Sequence, residues 1–233
     1  MSVSNLSVGP DCILILSDTA LYGADGHMVG FCQEKTFRLG GGAIAMVGRG
    51  SQHALLRLAA SLALHTDFDN LTAILRPQAL AAHAPVPAGI TGADRAMEIT
   101  VAGFSRRAGR MIARRWRWGG LDGTGADGDT LADGVHMSPA GNAPHVSTNP
   151  ASPDLMVRAA LRQHEIATRG GQRRICIGGL MHLTTCRADG CTTAIAAAYP
   201  DRGRWAAQFP DPNEKEYAEW LGRQTLTPLS AVS

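Results

Sequence analysis

Three features of the first fifty residues combine residue types that handle protons with backbone that can be approached closely. Asp18 ends the apolar run Cys12-Ile13-Leu14-Ile15-Leu16-Ser17, and Lys35 follows a turn. Gly48-Arg49-Gly50 closes a second apolar run, Ala43-Ile44-Ala45-Met46-Val47. Carboxylates and amines are proton-transfer groups, and glycine lets another chain come close to the main chain. Each also has an ordinary structural role: turn capping for Asp18, a solvated strand-end charge for Lys35, turn geometry for the glycines. Other motifs fail. Neither Gly40-Gly41-Gly42 nor Gly48-Arg49-Gly50 completes a dinucleotide fingerprint or a phosphate loop, and the G-x-S-x-G serine elbow is absent. His136 and His145 read as solvent-facing residues of a polar stretch. The cysteines Cys12, Cys32, Cys176, Cys186 and Cys191 lack zinc-site spacing. Cys186 and Cys191, the closest pair, fit two strand thiols flanking a turn as well as a ligand pair. No metal and no cofactor is expected.

The scaffold follows from apolar periodicity. Residues 12–17 and 43–47 read as buried strands. Ser51 is a plausible N-cap for a helix over 51–64, in which Leu55, Leu56, Leu58 and Leu62 recur at helical spacing. Asp69 or Asn70 is expected to cap a second helix that Pro77 shortens or bends. Met97 to Phe104 alternates as a strand and Arg110 to Trp118 returns beside it. On that returning strand Trp116 and Trp118 share one face with Arg114, and Arg115 and Arg117 share the other. The expectation is a packed tryptophan face with Arg115 and Arg117 reaching solvent. A helix follows over 153–168, then strands over 173–187 and 191–199. This order of strands, two helices, strands, one helix and strands suits two sheets with helices outside. Residues 1–210 are expected to form a single domain with a long irregular loop at 119–152, and 211–233 a C-terminal tail.

Taken in order, Asp18-Thr19, Lys35 and Gly48-Arg49-Gly50, with a helix from Ser51, resemble the start of a proteasome-like β-subunit of the N-terminal nucleophile (Ntn) hydrolases. Ile99-Thr100-Val101-Ala102-Gly103-Phe104 resembles the central strand after the helix pair, so the likeness spans about residues 1–118. The resemblance implies an α+β fold, a four-layer αββα sandwich of two largely antiparallel sheets. Counting back from Asp18 at the family's spacing reaches Ser2, the implied nucleophile once Met1 is removed. The same residue would supply the α-amine as its own base, Lys35 would favour the neutral amine, and Asp18 would orient Lys35 and keep it charged. The Gly48 N–H would stabilise the oxyanion. The implied activity is that of an N-terminal serine amidohydrolase or peptidase acting through an acyl-enzyme on a peptide or small amide. The alternative is a catalytically inactive, proteasome-like structural or interaction subunit. Either form is expected to be a homo-oligomer. The chain lacks a readable late Asp/Ser catalytic group, which departs from the usual subunit.

Composition narrows the partners. The 233 residues are 45% hydrophobic and 18% charged, with a formal net charge of +2. That excludes a charge-rich disordered chain and gives no broad basic footprint for nucleic acid, despite Arg114, Arg115 and Arg117 interleaved with Trp116 and Trp118. No apolar run reaches the roughly 18 residues of a membrane span, and the N-terminus lacks a secretory h-region. A cytoplasmic location without membrane partners is expected, with cysteines reduced.

Overall fold

Strands supply most of the frame. In chain order they are β1 (Ser4–Val8), β2 (Ile13–Asp18), β3 (Ala20–Tyr22), β4 (Met28–Phe31), β5 (Thr36–Leu39) and β6 (Ile44–Arg49). Then come β7 (Met97–Ser105), β8 (Arg110–Trp118), β9 (Asp129–Thr130), β10 (Gly134–His136), β11 (Leu180–Arg187) and β12 (Gly190–Ala198). The computed structural model describes residues 3–23, 27–83, 97–118, 128–138, 152–169, 177–201, 208–209 and 211–225. One five-stranded sheet has the order β10-β1-β2-β11-β12 and the other β5-β6-β7-β8-β9, while β3 and β4 form a separate hairpin. Among the described residues every pairing is antiparallel.

Strand alternation gives each sheet two apolar faces. Leu6, Val8, Ile13 and Ile15 of the first sheet meet Ala45, Val47, Ala102, Met111 and Ala113 of the second. The outer face of the second sheet, with Ile44, Met46, Ile99, Val101 and Trp116, is covered by α1 (Gln52–Leu62) and α2 (Phe68–His83). On the first sheet, Leu14, Leu16 and Met181 lie beneath Met156 and Ala160 of α3 (Pro153–Arg169). The result is an αββα sandwich of the Ntn-hydrolase type, as the resemblance implies. Helix signals behave as written: the Ser51 hydroxyl accepts the Ala54 N–H at 3.3 Å, closing the first turn of α1. The cap of α2 is Asp67, whose carboxylate accepts the Asn70 N–H at 2.9 Å, rather than Asp69 or Asn70. Asp69 instead accepts from the Ser105 hydroxyl and the Arg107 N–H, tying α2 to the β7–β8 turn. Pro77 lies within α2, which nevertheless runs on to His83.

The tryptophan half of the hairpin expectation holds, since Trp116 is fully buried under the helices. The arginine half is corrected. Arg115 is only 5% exposed, and Arg117 is partly covered. Their face of β8 looks at the other sheet, where Glu98 on the neighbouring strand gathers them. Arg117 Nε donates to Glu98 at 2.9 Å, Arg115 Nε lies 3.9 Å from it, and the Ser138 hydroxyl donates at 2.7 Å. Ser138 belongs to the stretch expected as an irregular loop; its described part, residues 128–138, contributes β9 and β10.

Burial pushes the Glu98 carboxyl up, but Arg115, Ser138, Arg117 and Arg49 together hold it below the usual 4.5. A carboxylate depressed in the folded state stabilises the protein above its unfolded pKa, and that stability is lost as acid protonates it. The thermal unfolding midpoint should therefore fall as pH drops below the usual 4.5, with the fall reduced in Glu98→Gln. At neutral pH, removing this charge from beside the buried Arg115 guanidinium should lose about 3–5 kcal/mol in urea titrations. Disrupting the exposed Arg110–Asp133 pair by Asp133→Asn should lose less than about 1 kcal/mol.

Candidate functional site

Asp18 terminates β2 beside β1 and β11, so its side chain is enclosed by strands on both sides. It is fully buried, and a buried carboxylate requires partners. One oxygen accepts the Val3 N–H at 3.0 Å and the other accepts from Lys35 Nζ at 2.9 Å. Lys35, 9% exposed, enters from the segment just before β5 and also donates to the Ala20 carbonyl. The ammonium thus links the β2 and β3 strand ends. Ser17 and Thr36, the flanking residues, approach through their hydroxyls at 3.3 Å.

Gly48 joins this group from the second sheet. Lys35 and Gly48 line one cavity of about 70 Å³, together with Leu21, Cys32, Phe37 and Leu55. A Cβ at Gly48 would fall 2.4 Å from a Leu55 methyl and 3.1 Å from the Glu98 carbonyl, so a larger residue there would displace the Leu55 side chain and crowd the neighbouring strand. A larger open cleft of about 1040 Å³ shares Leu21, Cys32, Glu34 and Leu56 with this cavity. Of the residues singled out in the sequence, Asp18 and Lys35 form a direct ion pair and Gly48 shares the lysine's cavity. Ser2 lies outside the described residues. Its neighbour Val3 is the residue whose amide bonds Asp18, so residue 2 is covalently one peptide from the ion pair.

Residues distant in sequence brace the site. The Thr19 hydroxyl donates to Asp211 at 2.9 Å and accepts the Leu180 N–H at 2.8 Å. Gly179 has φ +80°, and a Cβ on it would strike the Thr19 hydroxyl at 2.4 Å. Asp211 also accepts the Asn213 N–H at 2.9 Å, just before α4 (Glu214–Thr225). Asn213 Nδ2 reaches the Gln33 carbonyl at 3.0 Å. The segment read as a tail therefore contains a helix and clasps both chain stretches that carry the ion pair. These contacts link residues 180 or more positions apart and leave no local spacing to detect. Ser138 was likewise unmarked in sequence, yet its carbonyl accepts the Ser4 N–H at 3.1 Å and its N–H donates to Asn5. His182, opposite Ser17 on β11, is buried with both ring nitrogens unpartnered. Burial lowers its pKa, with Glu34, Asp211, Glu216 and Asp18 opposing that shift. Among the described residues no group of three or more His, Cys, Asp or Glu could hold a metal. Within the same residues no helix is long and apolar enough to cross a membrane.

This geometry sits on a recognisable architecture. Among solved structures the chain is similar to the Anbu (Gly-1) mutant from Hyphomicrobium sp. strain MC1, with a TM-score of 0.57 and 10% identity. The match covers 100% of both chains. Anbu is a proteasome-like protein of the Ntn-hydrolase superfamily, so the likeness establishes the fold at full length. No protein-family model matches, and no curated protein does either.

The clasp is testable through Cys32, whose N–H and thiol both bond the Thr19 carbonyl and whose pKa burial raises to about 11. Asp211→Ala removes the carboxylate that accepts the Thr19 hydroxyl and the Asn213 N–H just before α4. Maleimide labelling of Cys32 should accelerate at least tenfold in that variant, while Asp211→Asn, which retains an acceptor, should label at an intermediate rate. Equal rates in all three proteins would show that the clasp does not hold this segment.

Proposed function

We propose that the chain is a proteasome-like N-terminal serine amidohydrolase whose nucleophile is Ser2 and whose substrate is a peptide or small amide. The observation that carries this reading is the buried Asp18–Lys35 pair held against the amide of Val3. Removal of Met1 would free the Ser2 α-amine, whose ordinary pKa of about 7.7–8.0 leaves a useful neutral fraction near pH 7. The Lys35 ammonium would disfavour a second positive charge and so increase that fraction. The neutral amine takes the Ser2 hydroxyl proton as the oxygen attacks the substrate carbonyl. The proton then passes to the leaving amine as the C–N bond breaks, leaving an ester on Ser2. Water, deprotonated by the same amine, hydrolyses that ester and regenerates the hydroxyl. The Gly48 N–H is proposed as an oxyanion donor. The cavity beside Lys35, walled by Leu21, Phe37 and Leu55, suits an apolar side chain next to the reacting carbonyl.

A second reading is a catalytically inactive, proteasome-like structural or interaction subunit. The comparison with Anbu supports this reading better than the first, because the similar structure is that of a Gly-1 mutant and glycine offers no nucleophilic side chain. Homo-oligomerisation belongs to both readings.

Covalent capture separates them. A β-lactone or an epoxyketone should add once to the wild-type chain lacking Met1, with the adduct mapped to Ser2. Ser2→Ala should show no adduct and an unchanged native mass. Lys35→Ala should slow capture by about 10²-fold or more, the scale of a lost proton-transfer contribution. A chain with Met1 removed and a free amine that never reacts would establish the structural subunit instead.

A further inference from the structure

Cys186 and Cys191 lie across from each other on β11 and β12, near the end of a hairpin that the hydrolase reading does not use. Arg187 and Gly190 close its two-residue turn, so Cys186 and Cys191 form the next pair out. In such a hairpin that pair is the non-hydrogen-bonded one, with Cα atoms about 4.5 Å apart and side chains at their closest. A disulfide spans Cα separations of about 4.4–6.8 Å, so this register accepts one without moving strands. The two thiols already hydrogen-bond each other. Their settings differ. Cys186 is fully buried between the sheets, whereas Cys191 is 7% exposed and lines both the large cleft and a second groove along Gly40–Ala43.

We propose that Cys186 and Cys191 are a peroxide-responsive thiol pair, in which Cys191 is oxidised first and Cys186 resolves it to a reversible cross-strand disulfide. The Cys191 thiolate attacks one peroxide oxygen, the O–O bond breaks, and sulfenic acid and hydroxide form. The Cys186 sulfur then attacks the Cys191 sulfur, its proton leaves with the departing hydroxide as water, and the S–S bond closes. Two thiols and one hydrogen peroxide give one disulfide and two waters, with two electrons passing from sulfur to peroxide. The order follows from access and charge. The hydrogen bond from Cys186 and the nearby Arg38 guanidinium lower the Cys191 pKa, while burial opposes them. The same hydrogen bond, with burial, raises Cys186 and keeps it protonated. The other described thiols are poorer candidates, because burial raises both Cys12 and Cys32.

The test needs no catalytic activity, so its outcome is independent of the hydrolase reading. Reduced full-length protein is treated with hydrogen peroxide, then alkylated, digested without reductant and mapped by mass spectrometry. The expected product has lost two hydrogens, carries a Cys186–Cys191 bridge, and returns to the starting mass with dithiothreitol. In Cys186→Ser, a dimedone adduct should accumulate on Cys191; in Cys191→Ser, no bridge and no adduct on Cys186 should appear. No bridge in the wild type, or a bridge to Cys12, Cys32 or Cys176, would overturn the proposal. The wild-type map decides the pairing even where a variant fails to fold.

Discussion

A lysine ammonium and an aspartate carboxylate share one nearly water-free space at the N-terminal end of the sandwich, and the surrounding chain is arranged to tolerate them. Isolated charges in such a place are strongly disfavoured, so each must be neutralised and its remaining hydrogen-bonding capacity filled. Asp18 does so with Lys35 and the Val3 N–H, and Lys35 adds the Ala20 carbonyl. These bonds join the approach to β1 and the end of β2, which lie in one sheet, to β3 and the approach to β5, which belong to the other two. A buried pair of this kind is weak grounds for stability in itself, since apolar replacements are often as stable.

The same constraint recurs one layer away. Glu98 sits between the sheets with Arg115 and Arg117, and Ser138 fills a further position on its carboxylate. Ser138 also reaches Ser4 and Asn5, so the second charged cluster fixes the strand that carries the N-terminus. Behind the ion pair, Thr19, Asp211 and Asn213 hold its two supporting segments from the C-terminal side. The N-terminal region is therefore set by interactions from four distant parts of the chain. The Cys186–Cys191 pair joins β11, the neighbour of β2, to β12 beyond it, with Cys186 opposite Ile13 at the end of β2 away from Asp18.

Much of this frame was legible in the sequence because its determinants are local. Short apolar runs marked β2 and β6, alternation marked β7 and β8, and Ser51 marked the start of α1. The order of Asp18, Lys35 and Gly48 could be read, and the lysine meets both the aspartate and the glycine's cavity. What stayed hidden depends on what lies opposite. Alternation separated Arg115 from Trp116 correctly, but it carries no information on whether the second face meets water or another sheet. Asp67 displaced Asp69 as the α2 cap because Asp69 found Ser105 across the fold. The Asp211–Thr19 contact spans 192 positions and has no periodic signature.

The most direct measurement is a double-mutant cycle on the ion pair, with Asp18→Asn, Lys35→Met and the double variant compared by equilibrium urea unfolding. If the pair is the electrostatic centre of the N-terminal region, each single change strands a buried charge and loses about 3–5 kcal/mol. The double variant should then recover much of that loss, giving a coupling within the roughly 0.5–3 kcal/mol range of directly interacting residues, near its upper end. Additive losses with no measurable coupling would contradict the account, because Asp18 and Lys35 would then be supported independently of each other.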